Sequence, residues 1–369
     1  MIEIEKDNGG YRQSNIELLR IICILFIICF HIVYHNDWSN VNGVGNNGVF
    51  DPEYLSSGVF ILQSILPLGI IAVDVFVLIT GYFLIYSNKI KIEKTLKLWI
   101  QMLFYSLTIV AVFFFCFGLD LTVEKIFRAI TPVSSNIWWF CSSYLFLLLL
   151  SPFINTIVAN VDERKMAMLL LLLLVLWFII PLITGNRNQG NELLWFIIIY
   201  LIGGLIRKKK DNYQRKPSVY FSYALLIYII TVGLIIVFDY YDPIIYKFDH
   251  ISAIVFRNSI VCLLAAIFVF LAFNNMKIKN NRAINYVASL TLGIYLLHEH
   301  PLVYTYIFEL KCINSCSSTV DVILLLVSLT VLEFILCLII ESVRKIIFER
   351  YLLRRITKSM DVCIMSDKQ

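Results

Sequence analysis

Apolar runs of near twenty residues recur from one end of this 369-residue chain to the other, and they leave it few ways to fold. A run of that length spans the hydrocarbon of a bilayer as a single α-helix. Inside lipid every backbone N–H and C=O must be satisfied internally, which a helix does within its own segment. Hydrophobic residues make up 59% of the chain and charged residues 15%. A soluble protein of this length carries far more charge. The expected fold class is therefore all-α, a polytopic membrane protein of about ten transmembrane helices.

The expected spans are 16–34, 60–86, 96–117, 137–158, 166–184, 193–206, 218–238, 252–273, 286–308 and 319–340. The sixth is short and ends in Gly203-Gly204. No polar stretch is long enough for a separate soluble domain, so residues 1–340 read as the membrane domain and 341–369 as a basic cytoplasmic tail. The first span lacks a small-residue cleavage site and runs into Tyr34-His35-Asn36-Asp37. That marks a retained helix and not a signal peptide.

Orientation follows from the basic residues. Starting at the N-terminus, alternate segments hold 24 of the 31 Lys and Arg, the other loops hold 5, and Arg20 and Arg257 lie within spans. Cytoplasmic loops carry such an excess, so both termini are expected in the cytoplasm. The net charge of +5 then reflects topology and gives no reason to expect nucleic acid as a partner. The partner that the composition does imply is the lipid bilayer. Cys23, Cys29, Cys116, Cys141, Cys262 and Cys337 fall inside spans as small packing residues. Cys312 and Cys316 share an exported loop, where a disulfide is one option.

Arg20 and His31 stand on the same apolar segment, and ionisable groups inside a membrane helix are costly and usually functional. Eleven residues is close to three helical turns, which puts the two side chains within roughly 20° on one face and about 16 Å apart along the axis. Arg20 then lies near the inner surface and His31 toward the outer one. Glu17 is one turn before Arg20, so an interfacial ion pair with a snorkelling arginine is one account of it. The other is a site that crosses the bilayer. A thioester donor such as acyl-CoA is made in the cytoplasm, carries phosphates, and has a pantetheine arm of similar length. An arginine holds phosphates by paired hydrogen bonds, and a neutral imidazole at the far end takes a proton from a hydroxyl or carries the acyl group.

The run Arg12-Gln13-Ser14-Asn15-Ile16-Glu17-Leu18-Leu19-Arg20, with His31 after ten further residues, resembles the opening of the integral-membrane acyltransferase-3 family. Further segments resemble that family in order. They are Ala72-Val73-Asp74-Val75-Phe76-Val77-Leu78-Ile79-Thr80-Gly81-Tyr82, then Trp139-Phe140 through Tyr144 to Ser151-Pro152-Phe153, then Leu292-Gly293-Ile294-Tyr295-Leu296-Leu297-His298. The resemblance covers residues 12–340. It implies a ten-helix enzyme of the bacterial cell membrane that moves an acyl group, commonly acetyl, from cytoplasmic acyl-CoA to a hydroxyl of an exported or lipid-linked glycan. His31 matches the family's essential histidine and Arg20 its paired arginine. Acetyl-CoA is then the expected donor, with no metal. Thr80 stands where the family has serine; it keeps a hydroxyl, so the helix contact is expected to survive. Where relatives place arginines after the second helix, this chain has lysines, and Lys94 and Lys97 are placed to meet phosphate as point charges. Some relatives carry a further extracytoplasmic hydrolase-like domain; here only the basic tail is expected after residue 340.

Other polar residues at membrane depth complete the candidate site. Asp74 needs a partner or a proton near the middle of the second span. It either orders His31 or Arg20, as a carboxylate orients a catalytic imidazole, or holds helices together. His35, Trp38, Tyr82 and His298 are assigned to the acceptor side. Loop 35–59 mixes asparagines with Trp38, as sugar sites do and as ordinary polar loops also do. His298-Glu299-His300-Pro301 interrupts the ninth span. Two histidines and a carboxylate raise the question of a metal, but residues i and i+2 face opposite sides of a helix and no third ligand is evident. Arg257 and Glu333 either line the same cavity or pair with other helices. The rival class is a transporter exporting a glycan or small acid, disfavoured because only one broken helix and no internal repeat are visible.

Overall fold

The computed structural model describes residues 12–35, 57–89, 92–180, 192–241, 259–308 and 318–347, and these residues are mostly helical with no strand among them. In chain order the helices are α1 (Ser14–His35), α2 (Ser57–Leu84), α3 (Ile92–Phe117), α4 (Val123–Ile130), α5 (Trp139–Asn160), α6 (Glu163–Leu174), α7 (Glu192–Lys208), α8 (Pro217–Tyr241), α9 (Ile260–Asn274), α10 (Arg282–Ala288), α11 (Thr291–His298), α12 (Pro301–Phe308) and α13 (Thr319–Arg344). Among the described residues α1, α2, α3, α5, α8 and α13 are long and apolar enough to cross a membrane, and α9 is apolar but shorter. The chain is an all-α polytopic membrane protein.

The centre of the bundle is α2, which packs against α1, α7, α8 and α9. Small residues permit the closest of these crossings. A Cβ on Gly81 would run into the carbonyl of Tyr200, and one on Gly203 into that of Leu78. Helices in lipid associate through such close backbone approach. The carbonyl of Leu84 at the end of α2, and that of Ser87 beyond it, accept from Asn155 Nδ2 at 2.7 and 2.8 Å, while Tyr200 donates to Asn155 Oδ1 at 2.8 Å. One asparagine thus satisfies a helix end and ties α2, α5 and α7 together. Away from this core, α3, α8 and α13 turn Leu107, Phe115, Leu225, Ile229, Leu324 and Ile335 outward, as lipid-facing helices do.

Two departures from the expected pattern stand out. The amphipathic helix α4 arises within a stretch read as loop; Thr122 caps it by accepting from Lys125 N, and Val123 and Phe127 remain exposed. The ninth span is broken twice. Asn281 caps α10, a turn at Ser289-Leu290 separates α10 from α11, and Glu299-His300 separates α11 from α12. Pro301 has no N–H to continue the ladder, which explains the second break. At the other end of the chain, α13 continues past residue 340 and buries Glu341 and Arg344.

Candidate active site

Both candidate residues of α1, Arg20 and His31, face the interior: Arg20 is 3% exposed and His31 8%. At the His31 end the break between α11 and α12 turns two successive side chains toward α1. His31 Nδ1 lies 2.9 Å from Glu299 Oε2 and 2.9 Å from His298 Nε2. The proton positions follow from acceptors that cannot donate. His298 Nδ1 sits 2.8 Å from the carbonyl of Ile294, so in the neutral ring it carries the hydrogen and Nε2 accepts. His31 Nδ1 must then be the donor to His298 and Glu299. That leaves the lone pair of neutral His31 on Nε2, which has no hydrogen-bond partner among the described residues.

Glu299 serves a second imidazole as well. His35 Nε2 is 3.2 and 3.3 Å from the two carboxylate oxygens, and its ring stacks on Tyr304 with centroids 4.1 Å apart. His31, His35 and Glu299 therefore offer three donor atoms within 4.8 Å of one another, a metal-ligand number that α1 supplies and the His298-Glu299-His300 run alone does not. The same atoms satisfy one another by hydrogen bonds. Glu333 on α13 is half-buried and close enough to Glu299 for their charges to interact, which places it at this end of the bundle.

Arg20 marks the other end. Its Nη1 is 3.7 Å from Glu17 Oε2, whose partner oxygen is 4.0 Å from Arg12 Nε. Arg20 Nε is buried with no hydrogen-bond partner among the described residues. The guanidinium also lies close enough to Tyr144 to act on its phenol electrostatically. Thr80 Oγ1 donates to the Phe76 carbonyl at 2.9 Å, so Tyr144 is the donor in its own 2.9 Å bond to Thr80. The α2–α5 contact survives with threonine in that position. From Tyr144 a file of rings leads toward the histidines. Tyr144 stacks on Phe140 at 5.5 Å, Phe140 meets Tyr295 at 5.7 Å, and Tyr295 lies 6.3 Å from His31.

The remaining expected site residues scatter. Asp74 is fully buried and accepts from Trp195 Nε1 at 3.2 Å; its other oxygen has no partner among the described residues, and it bonds to neither His31 nor Arg20. The carboxylate beside His31 is Glu299, from the break between α11 and α12, while Asp74 joins α2 to α7 through Trp195. Tyr82 is also displaced from the acceptor side. A Cβ on Gly69 would meet Phe30, which sets those two residues level. Tyr82 is thirteen residues further along α2, about 20 Å away toward the Arg20 end. There it accepts from Arg207 Nη1 at 3.2 Å, with the guanidinium 4.8 Å above its ring. Lys97 is exposed and paired with Glu93 at 2.6 Å, while Lys94 is half-buried on the same helix. Trp38, Arg257, Cys312 and Cys316 lie outside the described residues. Sequence reasoning set Glu299 aside as a weak metal ligand; a carboxylate beside a proline break at membrane depth was the signal available.

Comparison with curated proteins and with solved structures gives no match. The family model described as an acyltransferase domain matches residues 13–342, nearly the whole membrane region. That span takes in Arg20, His31, the ring file and the broken ninth span, and the chain belongs to the acyltransferase-3 family.

Proposed function

We propose that this membrane acyltransferase moves an acyl group, acetyl foremost, from cytoplasmic acyl-CoA to a sugar hydroxyl of an exported or lipid-linked polysaccharide of a bacterial cell surface. The observation that carries the reading is the proton order at His31, which leaves an unprotonated Nε2 inside the bundle on the helix that also holds Arg20. Arg20 and its unpartnered Nε face donor phosphates from the cytoplasmic end. The pantetheine arm follows the ring file toward the histidines. His31 Nε2 takes the hydroxyl proton as the sugar oxygen adds to the thioester carbon. The C–S bond then breaks, the sulfur keeps the electron pair, and the imidazolium returns the proton to it. Glu299 balances the positive charge that His31 carries between those events.

The test is incubation of membranes with radiolabelled acetyl-CoA and surface polysaccharide. Label enters the glycan with the unaltered chain and falls by on the order of 10³-fold in His31→Ala, while the protein still inserts. Substantial turnover by the variant would overturn the assignment. Passage of glycan across the membrane without label would assign the chain to transport.

A further inference from the structure

His300 and Trp138 carry N–H groups that the chemistry above does not use. His300 precedes Pro301 and opens α12, its carbonyl accepting from Val303 N at 2.8 Å and Tyr304 N at 3.1 Å. Its Nδ1 accepts from Leu302 N at 3.2 Å. The hydrogen of the neutral ring is therefore on Nε2, which is buried with no hydrogen-bond partner among the described residues. Trp138, fully buried just before α5, has its Nε1 in the same condition. The two rings meet edge to face with centroids 5.4 Å apart. In such a pair one ring presents its edge to the other's face, so an N–H···π contact answers for one of the two donors at most. Buried donors without acceptors are rare in native proteins, and two on touching rings call for an explanation.

Their position supplies one. His300 is two residues beyond His298, which touches His31. Trp138 is two residues before Phe140, which touches Tyr295 beside His31. The indole is held by its approach: Asn136 takes a left-handed conformation, φ 48°, and Ile137 N donates to Pro132 O at 3.1 Å. His300 thus stands two residues from a contact of His31, and Trp138 meets its ring from a separate segment of the chain.

We propose that His300 Nε2–H and Trp138 Nε1–H receive the acyl carbonyl oxygen as it becomes an oxyanion. The proposal rests on the acyl-transfer reading and names the group that reading lacks. When the sugar oxygen bonds to the thioester carbon, the carbonyl π pair moves onto oxygen. When the carbonyl re-forms, that pair returns and the C–S bond breaks. Fixed donors aimed at the oxygen stabilise it most at the moment its charge is greatest.

The experiment uses the full chain in proteoliposomes with acetyl-CoA and surface polysaccharide, reading release of the CoA thiol together with the melting temperature. His300→Asn and Trp138→Phe each remove one donor. Each lowers kcat by about 100-fold or more, with KM for acetyl-CoA within about twofold. His300→Gln places an amide N–H where Nε2–H stood and recovers to within about tenfold of the original kcat. Active unaltered protein with unaffected variants overturns the pair alone. So does a loss shared equally by His300→Asn and His300→Gln, or one that follows a fall in melting temperature. An unaltered chain that releases no thiol overturns the acyl-transfer reading, and the pair with it.

Discussion

Each end of α1 sets a carboxylate between two basic groups, and the two ends are built differently. Glu17 stands between Arg12 and Arg20, with its oxygens 4.0 and 3.7 Å from them. Glu299 stands between His31 and His35, at 2.9 and 3.2 Å. The first carboxylate shares α1 with Arg20, and Arg12 lies two residues before that helix. The second arrives from 264 residues along the chain from His35. A loose local pair neutralises Arg20 yet leaves its Nε without a partner, which suits a group that must accept a ligand. A tight long-range network fixes which nitrogen carries the proton, which suits a group that must react. In the proposed reaction, binding and chemistry are thus separated along one helix.

The comparison breaks most readily at Glu299. Glu299→Gln keeps an oxygen that accepts from one imidazole but removes the charge that balances a protonated His31. The expected outcome is a fall of about 100-fold in kcat with KM for acyl-CoA within about twofold. Initial rates of thiol release over a range of acyl-CoA concentrations separate the two constants. A variant with unchanged kcat would reduce Glu299 to a structural tie between α1 and the helix break.

The difference between the ends also explains what the sequence made legible. Arg20, His31 and Glu17 share one helix, so 3.6-residue periodicity places them without knowledge of the fold. The break at Pro301 was equally visible, because proline acts on its own segment. Glu299 was not visible as the partner of His31, since nothing local says which helix the broken segment faces. Asp74 was left between two readings for the same reason. A buried carboxylate announces that it needs a partner but not which one, and only packing chose Trp195. Tyr82 sits in a motif with Asp74, yet two turns of helix carry it to the arginine end. Helix α4 was missed because its apolar residues are few and its length is short for a span.

At the looser end, Arg20→Gln tests whether the guanidinium meets a ligand. Charge-assisted hydrogen bonds to phosphate are lost while His31 and its network stay in place. KM for acyl-CoA should rise by about tenfold with kcat changed far less. The same assay with acetyl thioesters of pantetheine, which lack the nucleotide phosphates, should show no such rise. An equal loss with both donors, accompanied by a lower melting temperature, would leave Glu17–Arg20 as an ion pair that holds α1 and nothing more.

The smallest effect is expected from Lys97→Gln, and it decides where the donor end stops. Lys97 lies at the same expected cytoplasmic surface as Arg20, but its side chain is 46% exposed and that of its partner Glu93 is 63% exposed. Exposed pairs of this kind contribute about 0–1 kcal/mol and are screened by salt. A lysine also meets phosphate as a point charge without the paired geometry of a guanidinium. KM for acyl-CoA should therefore rise by less than about twofold, and the rise should fade as ionic strength increases. A rise matching that of Arg20→Gln would make α3 a second wall of the donor site and turn the arginine end from one helix into a cleft between two.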